Sequence, residues 1–306
     1  MNSKRNVIVA LIIAVSLSLS CDFTIAQPAT TASVSFDGER AYDRLLDQVG
    51  YGPRLPDSEA TSKTRELILK TLSSAGFSTG TQDFRAASPL YGREFAGQNL
   101  YGVYPAGSKV KYLISAHYDC RPRADNDPDP ASRSLPVPGA NDGASGVAIL
   151  LELARNVPSL KLSHGVALAF FDLEDHGITA ETFCHGSRFM ALHLPKSLEF
   201  ELGINLDMVG DADLKVKMEG YSYQKCRKPT LDLWQKGNAL YPDVFLLEQG
   251  PSIYDDHMPF IGQGKQFIDV IDFDYSHWHT TNDTADKCSP QSLEIIGHTV
   301  LEFIKD

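Results

Sequence analysis

Cysteine is scarce in this chain of 306 residues, with five in all, and no two of them stand in a C-x-x-C spacing. That excludes a zinc site built from thiolate pairs. Clusters of Lys and Arg are absent too: 28 basic residues face 39 acidic ones, for a formal charge of −11. Nucleic acid and anionic membrane surfaces reward such clusters, so neither is expected as a partner. No apolar run reaches the about 20 residues that a bilayer-spanning helix needs. Three familiar catalytic signatures are also missing, namely H-E-x-x-H, G-x-x-x-x-G-K-[ST], and G-x-G-x-x-G after a strand. Their absence removes the HExxH metalloproteases, the P-loop enzymes and the dinucleotide enzymes. There is no internal repeat.

The first residues read as an export signal. Lys4 and Arg5 precede an apolar run, Val7 to Val15, that continues through Ser and Leu to Cys21. A positive segment followed by a short apolar one is the pattern of a secretory leader. Cleavage just before Cys21 makes a lipoprotein anchored at that cysteine, whereas cleavage after Thr24-Ile25-Ala26 releases a soluble protein. The expectation is a leader over 1–20, a linker over 21–35 and one catalytic domain over 36–306, exported and either periplasmic or membrane-anchored. The four cysteines beyond Cys21 are Cys120, Cys184, Cys226 and Cys288. They allow three disulfide connectivities, or four buried thiols.

Hydrophobic spacing places the elements. Helices are expected over Arg40–Val49 and Ser62–Ala75, strands over Gln98–Tyr104 and Lys111–Ala116, and a helix after Asn141-Asp142-Gly143-Ala144-Ser145-Gly146. Val166–Phe171 is an unbroken apolar run of strand length, the pattern of a strand buried on both faces. A helix around Ser187–Leu192 follows, then strands over Leu202–Asp207 and Lys215–Glu219, a helix over Leu231–Leu240, a strand over Phe267–Ile271 and a last helix after Ser289-Pro290. Strands alternating with helices predict an α/β fold on a mostly parallel sheet. The long loop from Arg121 to Gly139 is dense in Asp and Pro. Its Asp125, Asp127 and Asp129 alternate as calcium ligands can, so a Ca²⁺ ion in the Asp125–Asp129 loop is an expectation to test.

The polar residues fall at the ends of these elements. His117 and Asp119 close one strand, Asp142 enters a helix, Glu174 and Asp175 follow the buried strand, Asp207 ends another, and His279 lies in the last loop. Ligands of open α/β sheets bind outside the carboxyl ends of the strands. Two adjacent acids such as Glu174 and Asp175 need a compensating cation in a dry crevice. Carboxylates and imidazoles without thiolates suit a catalytic Zn²⁺ with an open position.

Taken in order, His117-x-Asp119, Gly139-Ala140-Asn141-Asp142-Gly143-Ala144-Ser145-Gly146, Glu174-Asp175, Asp207-Met208-Val209-Gly210 and Trp278-His279-Thr280 resemble the motifs of the zinc aminopeptidase superfamily. Within it, Asp255-Asp256-His257-Met258-Pro259-Phe260 and Trp278-His279-Thr280 are similar to the glutaminyl cyclases, above all the bacterial branch of animal-like fold. The resemblance implies a single-domain, three-layer αβα sandwich with one zinc. It implies Asp142, Asp175 and His279 as the zinc ligands and Glu174 as general acid and base. Asp207 and Asp255 complete the acidic network, in which Asp269 takes part at one remove, with Trp278 and Asp269 on the substrate side. His176 stands where relatives often carry Trp. The implied partners are peptides and proteins with an N-terminal glutamine, acted on by a monomer. The alternatives are a two-zinc aminopeptidase, with His117 and Asp207 on the second metal and Asp142 bridging, and a binding module that has kept the fold.

Overall fold

The computed structural model describes residues 35–306, and all structural statements below concern them. The expected leader, Cys21 and the linker as far as residue 34 lie outside the described residues. The chain opens with two capped helices, α1 (Gly38–Gly50) and α2 (Glu59–Ser74). Asp37 accepts from the Arg40 backbone N–H and Ser58 from that of Thr61, each satisfying a donor that the first helical turn leaves free. The Ser58 cap is why α2 starts three residues before the apolar spacing suggested.

A hairpin of β1 (Ser78–Ser88) and β2 (Arg93–Tyr104) follows, paired antiparallel from Ser78 opposite Val103 to Ser88 opposite Arg93. The strand β1 was not expected from the sequence. Its Ser, Thr, Gly and Gln give no apolar alternation, and it owes its shape to pairing with β2 along its whole length. Next come β3 (Val110–His117), α3 (Ala144–Leu160), β4 (Gly165–Phe171), α4 (His185–Leu192) and β5 (Leu202–Asp207). The ribbon β6 (Val216–Met218) and β7 (Phe245–Gln249) encloses α5 (Gly220–Lys225) and α6 (Arg227–Leu240) in the chain. The last elements are α7 (His257–Gly262), β8 (Phe267–Ile271) and α8 (Pro290–Phe303).

The main sheet has the order β1-β2-β4-β3-β5-β8, and β4, β3, β5 and β8 run parallel. Strand period two divides the core. Val166, Leu168 and Phe170 of β4 pack with Ile114, Leu206, α3 and α8, whereas Ala167, Ala169 and Phe171 pack with Met190 of α4 and Phe260 of α7. Helices thus cover both faces, the expected αβα sandwich. The parallel strands end level: His117 is opposite Phe171, and Asp207 is opposite Ile271. Everything polar that follows those residues gathers at one edge.

Candidate metal centre

Three loops at that edge bring Asp142, Asp175 and His279 together, with one ligand atom from each lying within 4.8 Å of the others. The Asp142 loop can approach because Gly143 has no side chain: a Cβ there would stand 2.5 Å from the His117 carbonyl oxygen. Asp283 fixes this loop from below, accepting from the backbone N–H of Asn141 (2.8 Å) and Asp142 (3.2 Å) and from the Tyr275 hydroxyl (2.8 Å). Asp119 does the same for the acid pair, with its two oxygens accepting from the backbone N–H of Glu174 and Asp175, both at 3.1 Å. Leu173, Cys184, Met208 and His279 all adopt left-handed backbone, with φ of 55°, 58°, 46° and 55°. Non-glycine residues seldom do so, and such residues concentrate at functional sites.

The Asp175 carboxylate has one oxygen held and one free. Its Oδ1 lies 3.2 Å from His279 Nε2 and 3.2 Å from Nη1 of the buried Arg121, while Oδ2 is buried without a hydrogen-bond partner. An orphaned buried carboxylate oxygen beside an imidazole and a second carboxylate is what a cation ligand set looks like before the ion is counted. Asp142, Asp175 and His279 therefore fit a zinc ion. A second convergent group shares Asp142: His117 Nε2 lies 3.0 Å from Asp142 Oδ1 and 3.2 Å from Asp207 Oδ1. Burial alone would hold the His117 imidazole neutral, but Asp207, Asp119 and Asp142 outweigh it and raise its pKa well above the ordinary value.

Glu174 stands beside both groups and lines a cleft of about 350 Å³ with Asp142, Asp175, Asp207, Asp255 and Trp278. Burial pushes its carboxyl well above the usual range, and Asp175, Asp256 and Asp255 push the same way against the opposing His117. Burial and then Asp207 bring Asp255 to about 7. Burial of this kind raises a carboxyl's affinity for a proton, which a group that takes up and returns one requires. Trp278 stacks on His279 with ring centroids 3.9 Å apart, and Phe273 leans on Trp278 at 4.9 Å.

Two expectations need correction. Asp269, expected on the substrate side, is fully buried on β8, where it accepts from Asn205 Nδ2 at 3.2 Å; it does not line the cleft. The aspartates of the expected calcium loop do not converge either. Asp125 pairs with Arg121 at 2.6 Å, Asp127 accepts from Thr281 (2.6 and 2.9 Å) and from the Asp129 N–H, and Asp129 accepts from the Ala131 N–H. They strap the loop to the His279 segment, and no group of potential metal ligands among the described residues includes them. The four cysteines are separate buried thiols. Sequence reading missed Arg121, Asp283, Cys184 and Asp256; the doubled acid at 255–256 was the one local sign of the last.

Residues 99–304 match the model of Peptidase family M28. The chain belongs to peptidase family M28. Among solved structures, this M28 chain is similar to the glutaminyl cyclase of Bacteroides thetaiotaomicron bound to N-acetylhistamine, at 32% identity and TM-score 0.86, over 89% of this chain and 98% of that one. A leucine aminopeptidase precursor from the same organism matches at 32% identity and TM-score 0.85, over 89% and 98%. A Zn-dependent exopeptidase from Parabacteroides distasonis matches at 31% and 0.85, over 89% and 99%. The M28 assignment and the last likeness support zinc as the ion, and the neighbours include both cyclases and exopeptidases.

Proposed function

We propose that this M28 protein is a single-zinc glutaminyl cyclase, converting the N-terminal glutamine of peptides and proteins to pyroglutamate with release of ammonia. The observation that carries the reading is the aromatic wall: Trp278 stacked on the ligand His279, braced by Phe273, in a cleft whose other side is acidic. A wall that keeps water from the reacting carbonyl favours attack by the substrate's own amine over hydrolysis. The cyclase motifs at 255–260 and 278–280 and the Bacteroides cyclase likeness support it.

Asp207 and Asp255 give the cleft a negative field that draws in the α-ammonium of the substrate. A zinc ion held by Asp142, Asp175 and His279 would supply Lewis-acid polarisation of the γ-carbonyl oxygen, worth several kcal/mol. The α-ammonium first gives one proton to solvent, which frees its lone pair, and Glu174 takes a second from that nitrogen as its bond to the γ-carbon forms. It returns that proton to the amide nitrogen as the old C–N bond breaks, and the nitrogen leaves as ammonia. Such a positioned acid–base contributes about 10²- to 10⁴-fold. Export, with or without a lipid anchor at Cys21, would put the activity in a compartment of secreted peptides.

The convergence of His117, Asp142 and Asp207 favours one other reading, a two-zinc aminopeptidase. Ammonia release from a Gln-initiated peptide, amine release from an aminoacyl anilide and zinc content on one sample separate them. One zinc with ammonia release supports the cyclase, and two zincs with amine release overturn it.

A further inference from the structure

A third group of ligand atoms lies around Glu174, and the proposed reaction uses only Glu174 and Asp255 of it. Glu174, Cys184, Asp255 and Asp256 each place a carboxylate oxygen or the thiol sulfur within 4.8 Å of the others. All four residues are buried, Cys184 and Asp256 completely. The Cys184 thiol donates to Glu174 Oε1 at 3.2 Å. Asp255 Oδ2 and both carboxylate oxygens of Asp256 have no hydrogen-bond partner. The Ser187 hydroxyl beside Asp256 donates instead to the Cys184 carbonyl oxygen at 3.2 Å. Among the described residues no Lys or Arg pairs with any of the three acids.

Three buried carboxylates with three orphaned oxygens and no paired Lys or Arg are under-compensated, and such a set is held together by protons or by a metal. The donor set decides which metal. One sulfur with carboxylate oxygens suits a borderline or soft divalent ion such as Zn²⁺ or Cd²⁺, whereas Mg²⁺ and Ca²⁺ prefer oxygen alone. Access is through the cleft, which Glu174 and Asp255 line while Cys184 and Asp256 stand behind them.

We propose that Glu174, Cys184, Asp255 and Asp256 form a second, inhibitory site for a thiophilic divalent cation, separate from both histidine-containing triads. On binding, a metal–sulfur bond forms and the thiol proton passes to solvent. The occupant takes the Glu174 carboxylate out of proton transfer, so metal in excess of the catalytic equivalent turns the enzyme off. The inhibition rests on Glu174 being the acid–base group; the binding does not.

Titration of the zinc-loaded full chain with Cd²⁺ tests this, with turnover, bound cadmium and thiolate-to-metal charge-transfer absorption read together. The catalytic triad has no sulfur, so the absorption that depends on Cys184 reports the new site. The expected result is one further equivalent bound and turnover falling at least about tenfold with the midpoint of the absorption. Cys184→Ser should abolish the absorption and raise the half-inhibitory concentration about tenfold or more relative to its own uninhibited rate. Asp256→Asn, which keeps the thiol, should raise the same midpoint, and so covers the case in which the serine variant fails to fold. Absorption that persists in Cys184→Ser, no further equivalent at millimolar-scale Cd²⁺, or an unmoved midpoint in Asp256→Asn overturns the proposal. Should the enzyme release amine rather than ammonia, the cyclase reading fails while binding and absorption are still scored.

Discussion

The two triads that share Asp142 contain the same kinds of residue and differ in what their atoms already touch. In the first, His117 stands between Asp142 and Asp207 at 3.0 and 3.2 Å, with Asp119 on its other nitrogen at 3.4 Å, so each group has a partner. In the second, Arg121 and His279 hold one oxygen of Asp175 and leave the other buried and alone. Ligand type therefore does not separate the two triads. Of the two, only the one with Asp175 leaves a carboxylate oxygen unsatisfied.

The largest effect that would break this contrast is loss of the metal. Asp175→Ala or His279→Ala should remove zinc and, with several kcal/mol of Lewis-acid stabilisation gone, lower turnover by about 10³-fold or more. His117→Ala should keep its zinc; a fall from two ions to one, measured by elemental analysis, would make the first triad a metal site as well. Next, Glu174→Gln should cost about 10²- to 10⁴-fold in kcat with zinc unchanged, and retained activity would remove Glu174 from its role.

A smaller change should come from behind the ligands. Asp283→Asn weakens the grip on the Asp142 backbone and should reduce zinc affinity about 10-fold, read by competition with a chelator. The smallest lies outside both triads, at Glu219. Burial alone would raise its carboxyl, but the His257 imidazole 3.2 Å away and hydrogen bonds from the backbone N–H of Ser222 and Ile253 lower it to about 2. A depressed carboxyl contributes stability above its unfolded pKa of about 4.3 and loses it as pH falls toward about 2. The gap in melting temperature between the wild type and Glu219→Gln should therefore close over that interval, and a gap that persists at pH about 2 would deny Glu219 that contribution.

Much of this was legible in the chain because buried parallel strands are written as apolar runs. Val166–Phe171 and Phe267–Ile271 announce themselves, and the acids that follow the strands mark the edge where ligands bind. What stayed hidden depends on partners far away in sequence. The strand β1 exists through β2, and α5 and α7 are six-residue turns too short to show a period. Arg121 looked like loop solvent chemistry, yet its guanidinium is buried against Asp175 and the Gly177 carbonyl 2.7 Å away. Alternating aspartates suggested a cation where they tie two loops together, because spacing says nothing about which donors fold back onto them.

The left-handed backbone at Leu173, Met208 and His279 carries a cost outside the reaction. Leu173 and Met208 sit where the chain leaves the sheet and His279 in the loop after β8, and glycine would relax each of them. Selection for heat resistance alone should be drawn to those positions and return sturdier proteins with blunted turnover, since the contortion that aims the side chains is the same one that thermal screening rewards removing.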